Sequence, residues 1–271
     1  MEFGEILKND ERILKTYRRP HMIEAALVLS MLLLTAGALV TAKEIKTEAT
    51  LGFYTDYVWR GQVVNDELVL QPAITVTKSV SEDGSLSFNI WGNFDLTNSV
   101  ETKGEFSEID LIASYSHSFD HFGLEAGFIH YIFPNTATES TTEVYLSANY
   151  EPEAVPLSFS LTVYYDFDEI DGFYAAAAVE SNMDLNHNLS LNLKLSTGYG
   201  DSNFNIGYFG VTDSSFSDGV ASVILTYKVW DSASISAGVQ YMYLLGDALK
   251  DAVSSNNRSK FTGSLSVSYS F

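Results

Sequence analysis

The sequence predicts an all-β chain: an antiparallel up-and-down transmembrane β-barrel of about 12 strands, preceded by a cleaved signal peptide. Three observations carry this. Apolar and polar residues alternate with period two along most of the chain after residue 43. The alternating runs are roughly nine to thirteen residues long, where strands of soluble proteins more often have about five to six, and a run near ten suits a tilted membrane crossing. The connections between runs are alternately short and long, as in barrels with short turns on one side and long loops on the other.

The first element is a leader. Residues 25–40 read AALVLSMLLLTAGALV without a charge, with Lys15, Arg18 and Arg19 upstream. Val40-Thr41-Ala42 places small residues before Lys43, an A-x-A-like cleavage site. The run is short for a spanning helix. This divides the chain into a leader over 1–42, with Met22 as an alternative start, and a barrel over 43–271. The leader holds five basic and five acidic residues, so the remaining chain keeps 10 basic against 30 acidic.

The strands follow in order near 47–59, 67–78, 85–97, 105–119, 122–133, 140–150, 157–167, 172–183, 188–199, 217–229, 233–246 and 258–271. Leu189, Leu191, Leu193 and Leu195 alternate with Ser190, Asn192, Lys194 and Ser196; Leu157, Phe159, Leu161, Val163 and Tyr165 alternate with Ser158, Ser160, Thr162 and Tyr164. The last run, KFTGSLSVSYSF, sets Phe261, Leu265, Val267, Tyr269 and Phe271 against Thr262, Ser264, Ser266, Ser268 and Ser270. Period two puts the two sets on opposite faces. An apolar face toward lipid and a serine face toward a lumen satisfy both, and the sheet must close because lipid offers no partner for an open edge. Tyr150, Phe167, Tyr199, Tyr227, Tyr269 and Phe271 fall at strand ends, where aromatic girdles sit.

The connections sort by side. SEDG, FDH, EPEAVP, DLNH and WDS form the short set, and TNSVETKG, PNTATES, DSNFNIGYFGVTDSSF and DALKDAVSSNN the long one, joined by the more modest RGQVVND and DEID. An even strand number brings both termini to one side. A secreted β-sandwich is the competing fold, and it would have shorter strands and more uniform turns.

Composition narrows the function classes. With no cysteine, disulfide frameworks, cysteine-type zinc sites and thiol nucleophiles are excluded. A formal net charge of -20 repels phosphate backbones, so nucleic acid is not an expected partner. No cofactor motif occurs; Gly198-Tyr199-Gly200 follows a strand with no helix expected behind it, so it is not read as a phosphate loop. Asp166, Asp168, Glu169 and Asp171 form an acidic stretch without the spacing of an EF-hand, read as a solvated tip, and no metal site is expected.

The stretch Thr55-Asp56-Tyr57-Val58-Trp59-Arg60-Gly61 resembles the T-S-D-Y-V-F-R-G motif of the TorF-like porin family of Gram-negative bacteria, with the small residue after Thr missing and Trp at the aromatic position. Pro72-Ala73-Ile74, Trp91-Gly92-Asn93, Glu108-Ile109-Asp110-Leu111, Gly127 to Pro134 and Glu143-Val144-Tyr145 are similar to further family segments in the same order. Thr75 and His130 depart from the family pattern. The resemblance covers the first half of the barrel by motif and the second by pattern. It implies a barrel of the bacterial outer membrane, in contact with lipid and lipopolysaccharide. A terminal aromatic such as Phe271 resembles the ending by which barrel assembly machinery recognises its clients.

Inward parity gives the candidate pore-lining residues: Asp56, Arg60, Gln71, Asn89, Trp91, Asn93, Asp95, Asp110, Glu125, Glu143, Tyr145, Asn149, Tyr164, Asp166, Glu180, Asn182, Asn192, Lys194 and Gln240. Acidic groups outnumber basic ones, and acidic rings favour cations. The expected function is passive diffusion of small hydrophilic solutes with a mild cation preference. The bland account of the same residues is that Arg60 and Lys194 pair with lumen carboxylates and plug the barrel. Asp56 and Arg60, four apart, are expected on one strand face, with Gly61 allowing a tight turn after them. A closed barrel acting through its outer loops is the alternative, and a hydrolase the more distant one. The chain has no H-x-S pair like that of barrel phospholipases, and no His shares an expected outer loop with the acidic groups.

Overall fold

The computed structural model describes residues 45–97 and 102–271. The expected leader lies outside them. Twelve strands form one closed antiparallel barrel: β1 (Ile45–Tyr54), β4 (Val69–Ser79), β5 (Gly84–Asp95), β6 (Phe106–Phe119), β7 (Phe122–Ile132), β8 (Thr141–Tyr150), β9 (Ser158–Asp166), β10 (Gly172–Asn186), β11 (Leu189–Gly200), β12 (Ser215–Trp230), β13 (Ala233–Leu244) and β14 (Ser259–Ser270). β1 closes the ring by pairing with both β4 and β14. Two short strands, β2 (Tyr57–Trp59) and β3 (Gln62–Asn65), make a separate hairpin. Helix α1 (Ser202–Phe209) and helix α2 (Asp247–Ala252) lie in the last two long loops.

The two faces follow the period-two reading. Leu51 pairs with Val267 and Phe53 with Leu265 on the outside, while Thr50 pairs with Ser268 and Tyr54 with Ser264 on the inside. Large apolar side chains are exposed on β1 and from β5 through β14, Leu195, Leu146 and Leu265 among them at 59%, 58% and 51%. Lipid, not water, is the solvent in which such a band is stable. Inside, directly opposed hydroxyls bond one another: Thr50 with Ser268, Ser85 with Ser116, Ser147 with Thr162 and Thr226 with Ser236, each at 2.8 Å. These cross-strand pairs leave the backbone ladder intact while making the inner wall polar. Among the described residues no helix is long and apolar enough to cross a membrane, so the crossing is made by strands.

One end carries the turns at 80–83, 120–121, 151–157, 187–188 and 231–232. The other carries 55–68, 96–97, 102–105, 133–140, 167–171, 201–214 and 245–258. Ile45 and Ser270 both lie at the short-turn end. All six aromatic residues expected at strand ends are exposed, and rings meet there: Phe122 stacks on Tyr150 at 4.7 Å, and Tyr269 packs edge to face on Phe271 at 4.9 Å.

The first strand corrects its expected range. It stops at Tyr54, not at residue 59, and the chain turns into the barrel. Thr55 is held at the rim by Gly263, its N–H donating to the Gly263 carbonyl at 3.0 Å and its hydroxyl accepting from the Gly263 N–H at 2.9 Å. Alternation runs unbroken from wall to hairpin because both are β-structure, so periodicity cannot separate them. A second correction concerns Gly198-Tyr199-Gly200: a helix does follow, α1, capped by the Asp201 side chain on the Phe204 N–H at 2.8 Å. The cap is a carboxylate, which disfavours an anion at that end, and Gly200 lets Phe204 and Asn205 of the helix lie against the strand.

Candidate functional site

The hairpin between β1 and β4 is the centre of the site. Its turn is Arg60-Gly61, with φ of 44° and 83°, the two left-handed residues of a primed hairpin turn. Asp56 and Arg60 therefore do not share a strand face. Asp56 is buried at the rim, accepting from the hydroxyls of Thr55 at 2.6 Å and of Thr262. Arg60 stands at the hairpin tip. Gly61 lies so close to Leu244 and Asp218 that a β-carbon would come within 2.9 Å of the leucine.

Arg60 reaches across the barrel to Glu143 on β8. The pair is bidentate, Nη1 to Oε1 at 2.6 Å and Nη2 to Oε2 at 2.8 Å, with both side chains almost wholly buried. The Tyr131 hydroxyl donates to Glu143 Oε2 at 2.9 Å. Aromatic faces enclose the guanidinium: its carbon lies 4.4 Å from the Trp59 ring, 4.2 Å from Tyr164, 4.7 Å from Tyr174 and 5.9 Å from Phe204. Planar stacking plus a forked carboxylate is the arrangement that favours arginine over lysine. Burial works against the charge, but the Tyr131 oxygen and the Glu143 carboxylate outweigh it, so the guanidinium pKa is raised.

Further contacts tie the hairpin to the wall. Tyr57 is buried beside Trp91, with ring centroids 5.6 Å apart, and shares a cavity wall with Glu108. Asn65 donates to Asp95 at 2.6 Å, and Asn93 joins the same carboxylate to Gln71 and Ser107. Trp59 meets Tyr208 of α1 at 5.0 Å and Phe204 at 6.2 Å. The long loop after Tyr199 therefore folds inward onto the hairpin. Burial raises the Tyr208 phenol pKa.

Two cavities flank the hairpin, and Tyr57 lines both. The inner one, about 260 Å³, is bounded by Asp56, Gln71, Gln240, Thr262 and the serines 222, 236, 264 and 266. The outer one, about 360 Å³, lies toward the loops and is bounded by Trp59, Gln62, Glu108, Glu139, Glu169 and Tyr208. Glu139 beside Glu169 raises the pKa of Glu169.

The other sequence candidates are distributed along the interior. Tyr145 donates to Glu125 at 2.5 Å, and Asn89 to Thr75 at 2.7 Å. Asn192 links Glu180 at 2.6 Å to Asn182 at 2.7 Å, with Lys194 3.8 Å from Glu180. Asn149 is exposed near the short-turn end. Asp110 is buried, and its Oδ1 has no hydrogen-bond partner among the described residues. Asp166 is corrected from an exposed tip: it is buried, accepting from the Thr141 hydroxyl at 2.7 and 2.8 Å and from the Asp168 N–H at 3.0 Å. Strand-end carboxylates of this kind close their own turn. Among the described residues no group of three or more His, Asp or Glu is placed to hold a metal ion.

Tyr131, Tyr174, Glu108 and Phe204 were not among the candidates. Tyr131 shares parity with Glu125, Tyr174 with Glu180, and Glu108 with Asp110, so extending the inward parity along these three strands would have found three of them. Phe204 sits in a helix within a loop and carries no parity signal.

No protein-family model matches the chain, and comparison with curated proteins finds no significant match. Among solved structures, an outer membrane channel from Pseudomonas putida F1 superposes with a TM-score of 0.51 at 9% identity, covering 85% of this chain and 97% of that one. The KdgM porin gives a TM-score of 0.49 at 14% identity, over 83% of this chain and 99% of that one. The NanC porin gives 0.49 at 10%, over 82% and 98%. The chain thus has the outer-membrane type of fold, a closed twelve-stranded barrel with an apolar exterior and a polar interior.

Proposed function

We infer that the protein is a porin-like channel of the bacterial outer membrane, passing small hydrophilic solutes by diffusion with a mild cation preference. The observation that carries this is the hydroxyl- and amide-lined cavity inside a wall whose outer face is apolar. The cation preference is supported by the carboxylates that line the cavities, Asp56 in the inner one and Glu139 and Glu169 in the outer one, with no Lys or Arg among the described residues of either lining. The motif around Asp56 and Arg60 supports kinship with TorF-like porins, and the architecture is consistent with delivery by a signal peptide over 1–42 and insertion by barrel assembly machinery through Phe271. The function is read as non-enzymatic.

The test is single-channel recording in a planar bilayer across a salt gradient. Discrete steps with a cation-selective reversal potential support the reading. Anion selectivity would retain the pore and remove the acidic-lumen argument. A folded, heat-modifiable barrel without conductance would favour a second reading, a closed barrel acting through its loops, for which the packing of Trp59 against α1 speaks.

A further inference from the structure

The cage around Arg60 is mostly built without the hairpin. Tyr131 comes from β7, Glu143 from β8, Tyr164 from β9, Tyr174 from β10 and Phe204 from α1. Only Trp59 travels with the arginine. What the wall presents is a buried carboxylate, oriented by the Tyr131 hydroxyl and flanked by aromatic faces, a shape complementary to a planar cation with two parallel N–H donors. The hairpin belongs to a separate two-stranded sheet and has no ladder pairing with the barrel strands. Its first strand lies between the two interior cavities, with Tyr57 lining both.

We propose that this cage is a guanidinium-binding site, occupied here by Arg60 as a tethered ligand that holds the hairpin across the lumen, and that guanidinium-bearing solutes compete for it and release the hairpin. The inference deepens the channel reading and rests on it for the release step; the binding step stands on the cage alone. A compact ammonium lacks the two parallel donors that engage Glu143 and the flat face that stacks on Tyr164, so it is a poor substitute.

The binding step is tested with Arg60→Gly, a substitution suited to the left-handed backbone at this position. Methylguanidinium is titrated into the folded variant and its heat unfolding followed. At ten times the dissociation constant, mass action is expected to raise the midpoint by roughly a few degrees. Methylammonium at equal concentration, and methylguanidinium on Arg60→Gly/Glu143→Gln, are expected to give no rise. No shift, or an equal shift with methylammonium, overturns the proposal. Should Arg60→Gly not fold, Arg60→Gln takes the same titration. The release step is tested on the unmodified protein in a bilayer: arginine methyl ester should raise open probability and lysine methyl ester should not. An unchanged open probability in a conducting channel overturns the release step. If neither the protein nor Arg60→Gly conducts, the channel reading fails, while the unfolding titration still decides the site.

Discussion

Glu143 is the residue on which the interior depends most. It holds a buried cation and a buried phenol at once, so removing its charge leaves Arg60 uncompensated. Glu143→Gln is expected to cost about 3–5 kcal/mol in denaturant unfolding. Arg60→Met combined with Glu143→Leu should cost less than Glu143→Gln alone, because no charge is then left buried without a partner. A second residue-scale expectation concerns pH. The Glu169 pKa is raised by Glu139 beside it, so Glu169 takes up a proton at higher pH than an ordinary glutamate. On acidification Glu169 therefore loses its charge above the range of an ordinary glutamate, and a component of the cation selectivity should fall there. Reversal potentials measured across a pH series should show this component, and Glu169→Gln should remove it. The sequence placed Glu143 on the inner face and paired Arg60 with some lumen carboxylate. It did not say which one, since the partners are 83 residues apart and every inward carboxylate satisfies the same parity.

At the scale of elements, the hairpin and α1 form one packed unit inside the mouth. Replacing residues 56–66 with a short Gly-Ser linker should raise single-channel conductance several-fold while leaving the barrel heat-modifiable. An unchanged conductance would mean that another segment sets the constriction. The α1 cap gives a smaller and separable effect. Asp201→Ala removes the bond to the Phe204 N–H and should cost about 1 kcal/mol of local stability. Hydrogen exchange should report it as faster exchange confined to 202–209. Strand positions were legible to within a few residues because a slip of one would turn leucines into the lumen and serines into lipid. The hairpin was not legible: β2 extends the β1 alternation, and its inward path depends on Thr55 meeting Gly263 and Asp56 meeting Thr262 across the barrel seam.

For the molecule as a whole, the two faces of the wall should respond oppositely to the same side chain. Leu193→Lys on the outer face should cost about 2–4 kcal/mol if it lies near the bilayer midplane. Ser264→Lys, on the inner wall beside the cavity of about 260 Å³, should fold with little loss and shift selectivity toward anions. Unfolding in lipid vesicles and reversal potentials check the pair. Period two, strand length and alternating loops were enough to derive a closed barrel of twelve strands, its inner and outer faces and its long-loop end. Those are consequences of local geometry and of the solvent on each side, and each strand reports them independently. The closure of the mouth needed three-dimensional contact. Arg60, Glu143, Tyr164, Tyr174 and Phe204 come from a hairpin, three strands and a helix, and their meeting depends on how a ring of strands brings distant segments within 3–6 Å. No pattern local to any one of them carries that distance.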